Sequence, residues 1–379
     1  MYITDQNDVK AIEELILSKD YFRNKGTGRS GHCTTFESDF AKKMNSTHAL
    51  LVTSGTNALI CALSSLDLQT DDEVIIPSFT FFATAVAVVN SGAIPVIVNI
   101  DDSLMIDPTE VEQAITKKTK AIIAVHMDGH ACDMGALKII ADKYSLKLIE
   151  DTAQACGGSY KGKRLGSIGD IGCFSFNVDK IISCGEGGAL ITNNRNYYEK
   201  SLCIQDACCS FGPTFKDSFT EILPFVGQSM RVSEISGALM NVQLTRLDSI
   251  LETLRIRSNI LNEVFSTNEI LMIKSNDQLG DCGTSINIIL NSHHRVKQVF
   301  TALANSNIIT FPIAARHAHA SWQWSEMLEK RIPQGRYHKS QYLKSIDLLT
   351  TTLKIKVPFD MPTDETINYA EMISKVIRS

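Results

Sequence analysis

Residues 173 to 194 read "CFSFNVDKIISCGEGGALITNN". An aromatic, β-prone start meets one lysine, Lys180, then a turn carrying Gly185, Gly187 and Gly188, then a second apolar strand. A surface hairpin needs no more than a two-residue turn of the Asn-Gly kind. A loop this rich in glycine brings backbone close to another group, because only glycine lacks the Cβ that holds neighbours away. The spacing predicts two strands with Lys180 at the tip between them.

Upstream, the chain alternates strand and helix. "HALLVTS" (48–54) is a short apolar strand, and "GTNALICALSSL" (55–66) repeats apolar positions at helical spacing. "DEVIIPS" (72–78) is a strand, "TFFATAVAVVNSG" (80–92) a helix closed by Gly92, and "AIPVIVNI" (93–100) a strand. Asp107-Pro108 opens a helix, with aspartate as N-cap and proline at the first position. "KAIIAVH" (120–126), "GALKIIADKYS" (135–145) and "LKLIEDT" (146–152) continue the alternation. The expected fold class is α/β, a mostly parallel central sheet with helices on both faces. Ligands of open sheets sit at the carboxyl ends of strands. Past residue 232, "SEISGALMNVQLTRLDSILETLRIRSNILNEVF" (233–265) reads as a connecting helix or helix pair. A strand (285–291), a helix (295–307) and a terminal helix after Pro362 follow, giving a large domain over 1–245 and a smaller α+β domain over 246–379.

Composition narrows the function. The 379 residues carry 44% hydrophobic and 21% charged residues and a formal charge of -5, which gives no pull toward nucleic acid or an anionic membrane. No apolar run reaches the roughly 20 residues that span a bilayer, and "MYITDQNDVKAIEELI" lacks the layout of a signal peptide. The ten cysteines are scattered without a CxxC pair, apart from the doublet Cys208-Cys209. They read as reduced thiols, Cys132, Cys156, Cys173 and Cys184 among them as packing residues, so a cytoplasmic protein is expected.

The segments after the strands carry the chemistry. Ser54-Gly55-Thr56 runs from a strand straight into a helix, where free N–H groups suit a phosphate. Asp151 ends the strand "LKLIE", and Gln154 follows one turn later. Singly, each has a plain reading: a common βα turn, an N-cap, a solvated loop lysine. Together, a phosphate cradle, a carboxylate and a lysine on one edge of a sheet are the parts that a pyridoxal phosphate enzyme needs.

The chain resembles the DegT/StrS sugar aminotransferases, fold-type I enzymes dependent on pyridoxal 5'-phosphate, along residues 30 to 250 and more loosely beyond. "TSGTNAL" (53–59) resembles the family's phosphate turn, with Gly55 and Thr56 as donors, and "PSFTFFAT" (77–84) its aromatic platform, with Phe81 on the cofactor ring. "EDTAQA" (150–155) supplies Asp151 for the ring nitrogen and Gln154 for the ring hydroxyl. "GDIGCFSF" (169–176) supplies Ser175 for the phosphate, and Lys180 falls at the Schiff-base position before "GEGG". "TKAIIAVHMDGHACDM" (119–134) places His126 near the pocket floor. The resemblance implies an amino-acid donor (glutamate or glutamine), a sugar acceptor and a homodimer with shared active sites. In two places the chain departs from the family pattern. Asn177-Val178-Asp179 replaces the usual run before the lysine, and Ser229 stands where an asparagine from the partner subunit usually meets the phosphate.

Two decoys are set aside. "GTGRSG" (26–31) spells a dinucleotide fingerprint, but no strand precedes it; the resemblance makes it a loop near the active-site entrance. His317 and His319 in "ARHAHASWQW" (315–324) lack a third ligand at metal spacing, so no metal is expected. Because the small domain closes over the substrate in the family, Arg316, His317, His319 and Trp322, with His126, are expected to contact substrate. The motifs "YKGKRLGSIGD" and "CGEGGALITNN" resemble the branch that forms 8-amino-3,8-dideoxy-octulosonate, a lipopolysaccharide sugar. Nucleotide-linked keto-hexoses and cyclitol ketones are the alternative acceptors. A sugar dehydratase of the same fold is a further alternative, in which the lysine is typically replaced by histidine. A sensor that keeps the fold without catalysis is another.

Overall fold

The computed structural model describes residues 3–23, 31–207, 219–331 and 337–379. Most of "GTGRSG" and the Cys208-Cys209 doublet lie outside these residues. The central sheet has seven strands: β1 (His48–Val52), β2 (Glu73–Pro77), β3 (Ile94–Val98), β4 (Thr119–Val125), β5 (Lys147–Asp151), β8 (Ile171–Ser175) and β9 (Gly188–Thr192), in the order β1-β9-β8-β5-β4-β2-β3. Between β5 and β8, β6 (Ser159–Tyr160) and β7 (Lys163–Arg164) form a two-stranded ribbon. Strands β3, β2, β4, β5 and β8 are parallel, and β9 runs antiparallel to β8 and β1 on either side. Near-complete burial of β2, β8 and β9 matches their unbroken apolar sequences, as covering on both faces demands.

The strand β8 shows how alternation aims a side chain. Phe174 and Phe176 point to one face and pack edge-on against Phe40, with ring centroids 5.0 and 5.6 Å away, while Phe36 stacks on Phe40 at 5.1 Å. Ser175, between them, is thereby turned to the other face.

Residues 233–265 form one helix, Glu234–Thr267, and not a helix pair. Helices Gln6–Ser18 and His32–Lys43 pack along it. The boundary expected at 245/246 falls inside this continuous helix. Beyond it, β10 (Ser285–Ile289), β11 (Thr310–Pro312) and β12 (Thr352–Lys356) make a separate antiparallel sheet in the order β10-β12-β11. The helices His293–Asn305 and Thr363–Arg378 accompany it. This smaller lobe meets the large one through a short ladder: Phe79 bridges Ala320, and the N–H groups of Thr80 and Phe82 donate to His319 and Ala318.

Candidate active site

A cavity of about 530 Å³ opens at the carboxyl ends of the parallel strands. Ser54, Gly55 and Thr56 follow β1, and Thr80 and Phe81 follow β2. Asp128 follows β4, Asp151 and Gln154 close β5, and Ser175 and Lys180 close β8. The small lobe supplies Phe311, Arg316, His319, Lys354 and Lys356.

Close approach builds one end of the cavity. Ser54 caps the helix Gly55–Ser64, its hydroxyl accepting the Asn57 N–H at 3.1 Å, so the N–H groups of Gly55 and Thr56 stay free of carbonyl partners. A Cβ on Gly55 would lie 2.7 Å from the Ser175 Cβ, and one on Gly188 would overlap the Ser54 carbonyl. Gly188 therefore packs chain on chain, seating β9 against the β1 turn. Gly185 alone needs the left-handed region, at φ +87°.

Asp151 is buried at the cavity floor. Its Oδ2 accepts the Thr84 hydroxyl at 3.0 Å and its Oδ1 the Ala153 N–H at 3.2 Å, so it closes a local turn as well as facing the cavity. Burial raises its pKa, offset only in part by these donors and by Lys180. Lys180 sits in a turn in which its N–H donates to the Asn177 carbonyl and the Asp179 N–H donates to the Asn177 side chain. Burial lowers the pKa of Lys180, while the Asp151 and Asp179 carboxylates pull it upward. Gln154 accepts the Asp128 N–H at 3.2 Å through Oε1. Phe81 is 49% exposed on the cavity wall, its ring 5.3 Å from that of His319.

Asp128 organises the opposite wall. Its backbone is left-handed (φ 55°), and its Oδ1 pairs with both Arg316, at 3.2 Å, and Lys354. Burial works to raise its pKa, but Lys354 and Arg316 outweigh it and hold the carboxyl well below the usual range. Arg316 also donates to His319 Nε2 at 2.9 Å. Burial and that guanidinium push the His319 pKa down to about 3, so its ring is neutral.

Of the expected substrate contacts, Arg316 and His319 reach the cavity. His126 does not: its ring is fully buried, Nδ1 accepting the Cys132 N–H and Nε2 lying 3.1 Å from Glu150 Oε2, beneath the floor. His317 pairs with Gln323 on the surface, and Trp322 packs against the core, so neither lines this cavity. Ser229 is exposed outside it. Burial raises the thiol pKa of Cys33, Cys132, Cys156 and Cys173, and pushes those of Cys61, Cys184 and Cys282 up to about 12.

Sequence reading missed Asp128, Lys354 and Lys356. The signal for the lysines was in "TLKIKV": two lysines at period two on a strand whose other positions, Leu353, Ile355 and Val357, are core.

With this geometry in view, comparison with known proteins is specific. The chain belongs to the DegT/DnrJ/EryC1/StrS aminotransferase family, whose model matches residues 5–344. It is a pyridoxal phosphate-dependent sugar aminotransferase of fold-type I. It is 32% identical to a GDP-perosamine synthase of Vibrio cholerae over 307 residues, covering 80% of this chain and 82% of that one. The aminotransferase from Psychrobacter cryohalolentis superposes with a TM-score of 0.84 at 26% identity, covering 99% and 98% of the two chains. An E. coli GDP-4-keto-6-deoxy-D-mannose-3-dehydratase with bound hydrated PLP shares the fold, with a TM-score of 0.83 at 22% identity over 99% and 97%.

Proposed function

We propose that this aminotransferase uses glutamate or glutamine to convert 3,8-dideoxy-8-oxo-octulosonate to 8-amino-3,8-dideoxy-octulosonate. The observation that carries the reading is the cationic wall of the small lobe. Arg316 and Lys354 share a single carboxylate, Asp128, and Lys356 stands beside them. Two cations against one anion leave a positive charge facing the cavity, suited to a carboxylate. An amino-acid donor and an ulosonate acceptor each carry one and use the site in turn.

The residues present fit the cofactor. Asp151, whose charge is penalised by burial, is relieved by a protonated ring nitrogen set against it. Gly55, Thr56 and Ser175 would hold the phosphate, Gln154 the ring hydroxyl, and Phe81 one face of the ring. Pyridoxal phosphate, when bound, supplies a carbonyl carbon that carries the amino group and a ring that accepts electrons. Lys180, with its pKa lowered by burial, would be the base that takes up and returns the proton of the donor's α-carbon at Nζ.

The runner-up is a nucleotide-linked keto-hexose acceptor, favoured by the likeness to the GDP-perosamine synthase. Lys180, standing where a dehydratase typically carries histidine, argues against dehydration. The deciding experiment feeds purified enzyme and glutamate with either the oxo-octulosonate or a GDP-linked 4-keto-6-deoxyhexose and follows amination by mass spectrometry. Amination of the nucleotide sugar alone would overturn the proposal. The reading includes a homodimer in which Ser229 of the partner subunit completes the phosphate cup. It also includes a cytoplasmic setting, supported by the mostly buried cysteines of the described residues, which form no disulfide there.

A further inference from the structure

The Asp128-Gly129-His130 turn has two sides. Asp128 lines the active cavity, while His130 lines a separate pocket of about 180 Å³. The small sheet is divided in the same way. Ser285 lies opposite Lys356 and Asn287 opposite Lys354, so the four side chains share one face. The lysines line the active cavity, and Ser285 and Asn287 line the second pocket. The long helix makes the third wall with Arg255, Ser258, Asn262 and Ser266, whose spacing of three or four puts them on one face.

This pocket holds polar groups without partners. Asn287 is 1% exposed, and among the described residues neither its side-chain nitrogen nor its side-chain oxygen has a hydrogen-bond partner; His130 Nε2 also lacks one there. A buried polar group left unpaired is costly, so what fills the pocket must satisfy them. The charges select the filling. His130 Nδ1 lies 2.8 Å from Asp281, and Asp281 with Asp128 outweighs burial to raise the ring's pKa. Arg255 donates through Nε and Nη2 to the Asp281 and Gly280 carbonyls, and among the described residues no carboxylate pairs with it. Its guanidinium thus stands in the pocket wall beside amide and hydroxyl groups, bonded to backbone carbonyls alone among the described residues. The volume of about 180 Å³ leaves room for one small organic acid.

We propose that this pocket is a second ligand site, which takes a small carboxylate on Arg255 and the Asn287 amide. The ligand would be felt in the active cavity, because the Ser285 and Thr284 hydroxyls donate to the Asp128 carbonyl at 3.1 and 2.6 Å. The test uses the holoenzyme with glycolate, and with ethylene glycol as a neutral counterpart. A wild-type crystal soaked in glycolate should show the acid against Arg255 and Asn287. In solution, glycolate should raise Tm in the wild type, and its apparent Kd should weaken by about tenfold or more in Arg255→Gln and in Asn287→Leu. Both variants should keep the wild-type cofactor absorbance, which separates loss of the site from loss of the fold. Water alone in the soaked pocket, equal stabilisation by ethylene glycol, or unchanged glycolate affinity in correctly folded variants would each overturn the proposal.

Discussion

Lys180 is the residue at which opposing effects meet: burial lowers its pKa, and Asp151 and Asp179 restrain the fall. Lys180→Ala should reduce turnover by more than the roughly 10²–10⁴-fold ascribed to a positioned proton-transfer group, because the covalent anchor is lost as well. Borohydride reduction and peptide mapping should place the pyridoxyl label on Lys180; a label on another lysine defeats the assignment. Asp151→Asn removes the charge that keeps a ring nitrogen protonated. At ~1.4 kcal/mol per pKa unit it should slow turnover on the order of a hundredfold, with a smaller loss of cofactor affinity. Near-wild-type rates in that variant would mean that the cofactor lies elsewhere. Asp128→Asn leaves Arg316 and Lys354 facing each other without their shared anion. Breaking a buried ion pair costs about 3–5 kcal/mol, and partial exposure of both cations brings the expected loss nearer 1–3. The pH dependence has a definite sign. The folded pKa of Asp128 is depressed, so its contribution is complete above the unfolded value of about 3.9 and is lost as pH falls toward the folded one. Wild type and Asp128→Asn should therefore differ in Tm at pH 7 and converge in acid; a constant difference would exclude the ion-pair account.

At the scale of elements, the loop between β8 and β9 supports a comparison of two glycines. A side chain at Gly188 would overlap the Ser54 carbonyl, whereas at Gly185 nothing lies within 4 Å and only the left-handed backbone objects. Gly188→Ala should push the Gly55 turn away from Ser175, cost about 1–3 kcal/mol and loosen the cofactor. Gly185→Ala should cost about 1–2 kcal/mol of backbone strain and leave cofactor retention intact. Absorbance after dialysis separates the two, and equal retention would refute the packing role of Gly188. The sequence made this loop conspicuous, and the β1 to β5 alternation with it, because buried parallel strands and helix caps are local signals. Other parts depended on distant pairing. β12 gains its meaning from β10 and β11, far away in sequence, so its two lysines read locally as the solvated side of a strand. His126, expected near the pocket floor as a substrate contact, instead turns its ring to Glu150 on the neighbouring strand. His317 and His319 are two residues apart, and only the turn that joins them to the ladder with β2's extension decides that one faces the cavity and the other does not.

At the scale of the whole molecule, the proposed homodimer would complete the site. Gly55, Thr56 and Ser175 offer hydrogen bonds at one end of the cavity, while Ser229 stands exposed elsewhere on the same chain. Close to Ser229, Leu223 and Val226 are 88% and 85% exposed and Phe225 is partly so, an apolar run that water would not favour uncovered. A two-fold partner covering this run would carry its Ser229 into the neighbouring site. The expected assembly is a homodimer with an interface above roughly 2,000 Å², as permanent homodimers have. Subunit mixing tests whether the sites are shared. Lys180→Ala homodimers lack the lysine in both sites, and Ser229→Trp homodimers block both with the intruding ring. A hybrid of the two pairs one intact Lys180 with one intact Ser229, in a single site, and ruins the other. Activity should reappear on mixing and reach no more than about half of the wild-type value per hybrid dimer. Wild-type activity in Ser229→Trp alone, a fully active monomer by light scattering, or no recovery despite demonstrated subunit exchange would each show that every chain carries a complete site of its own.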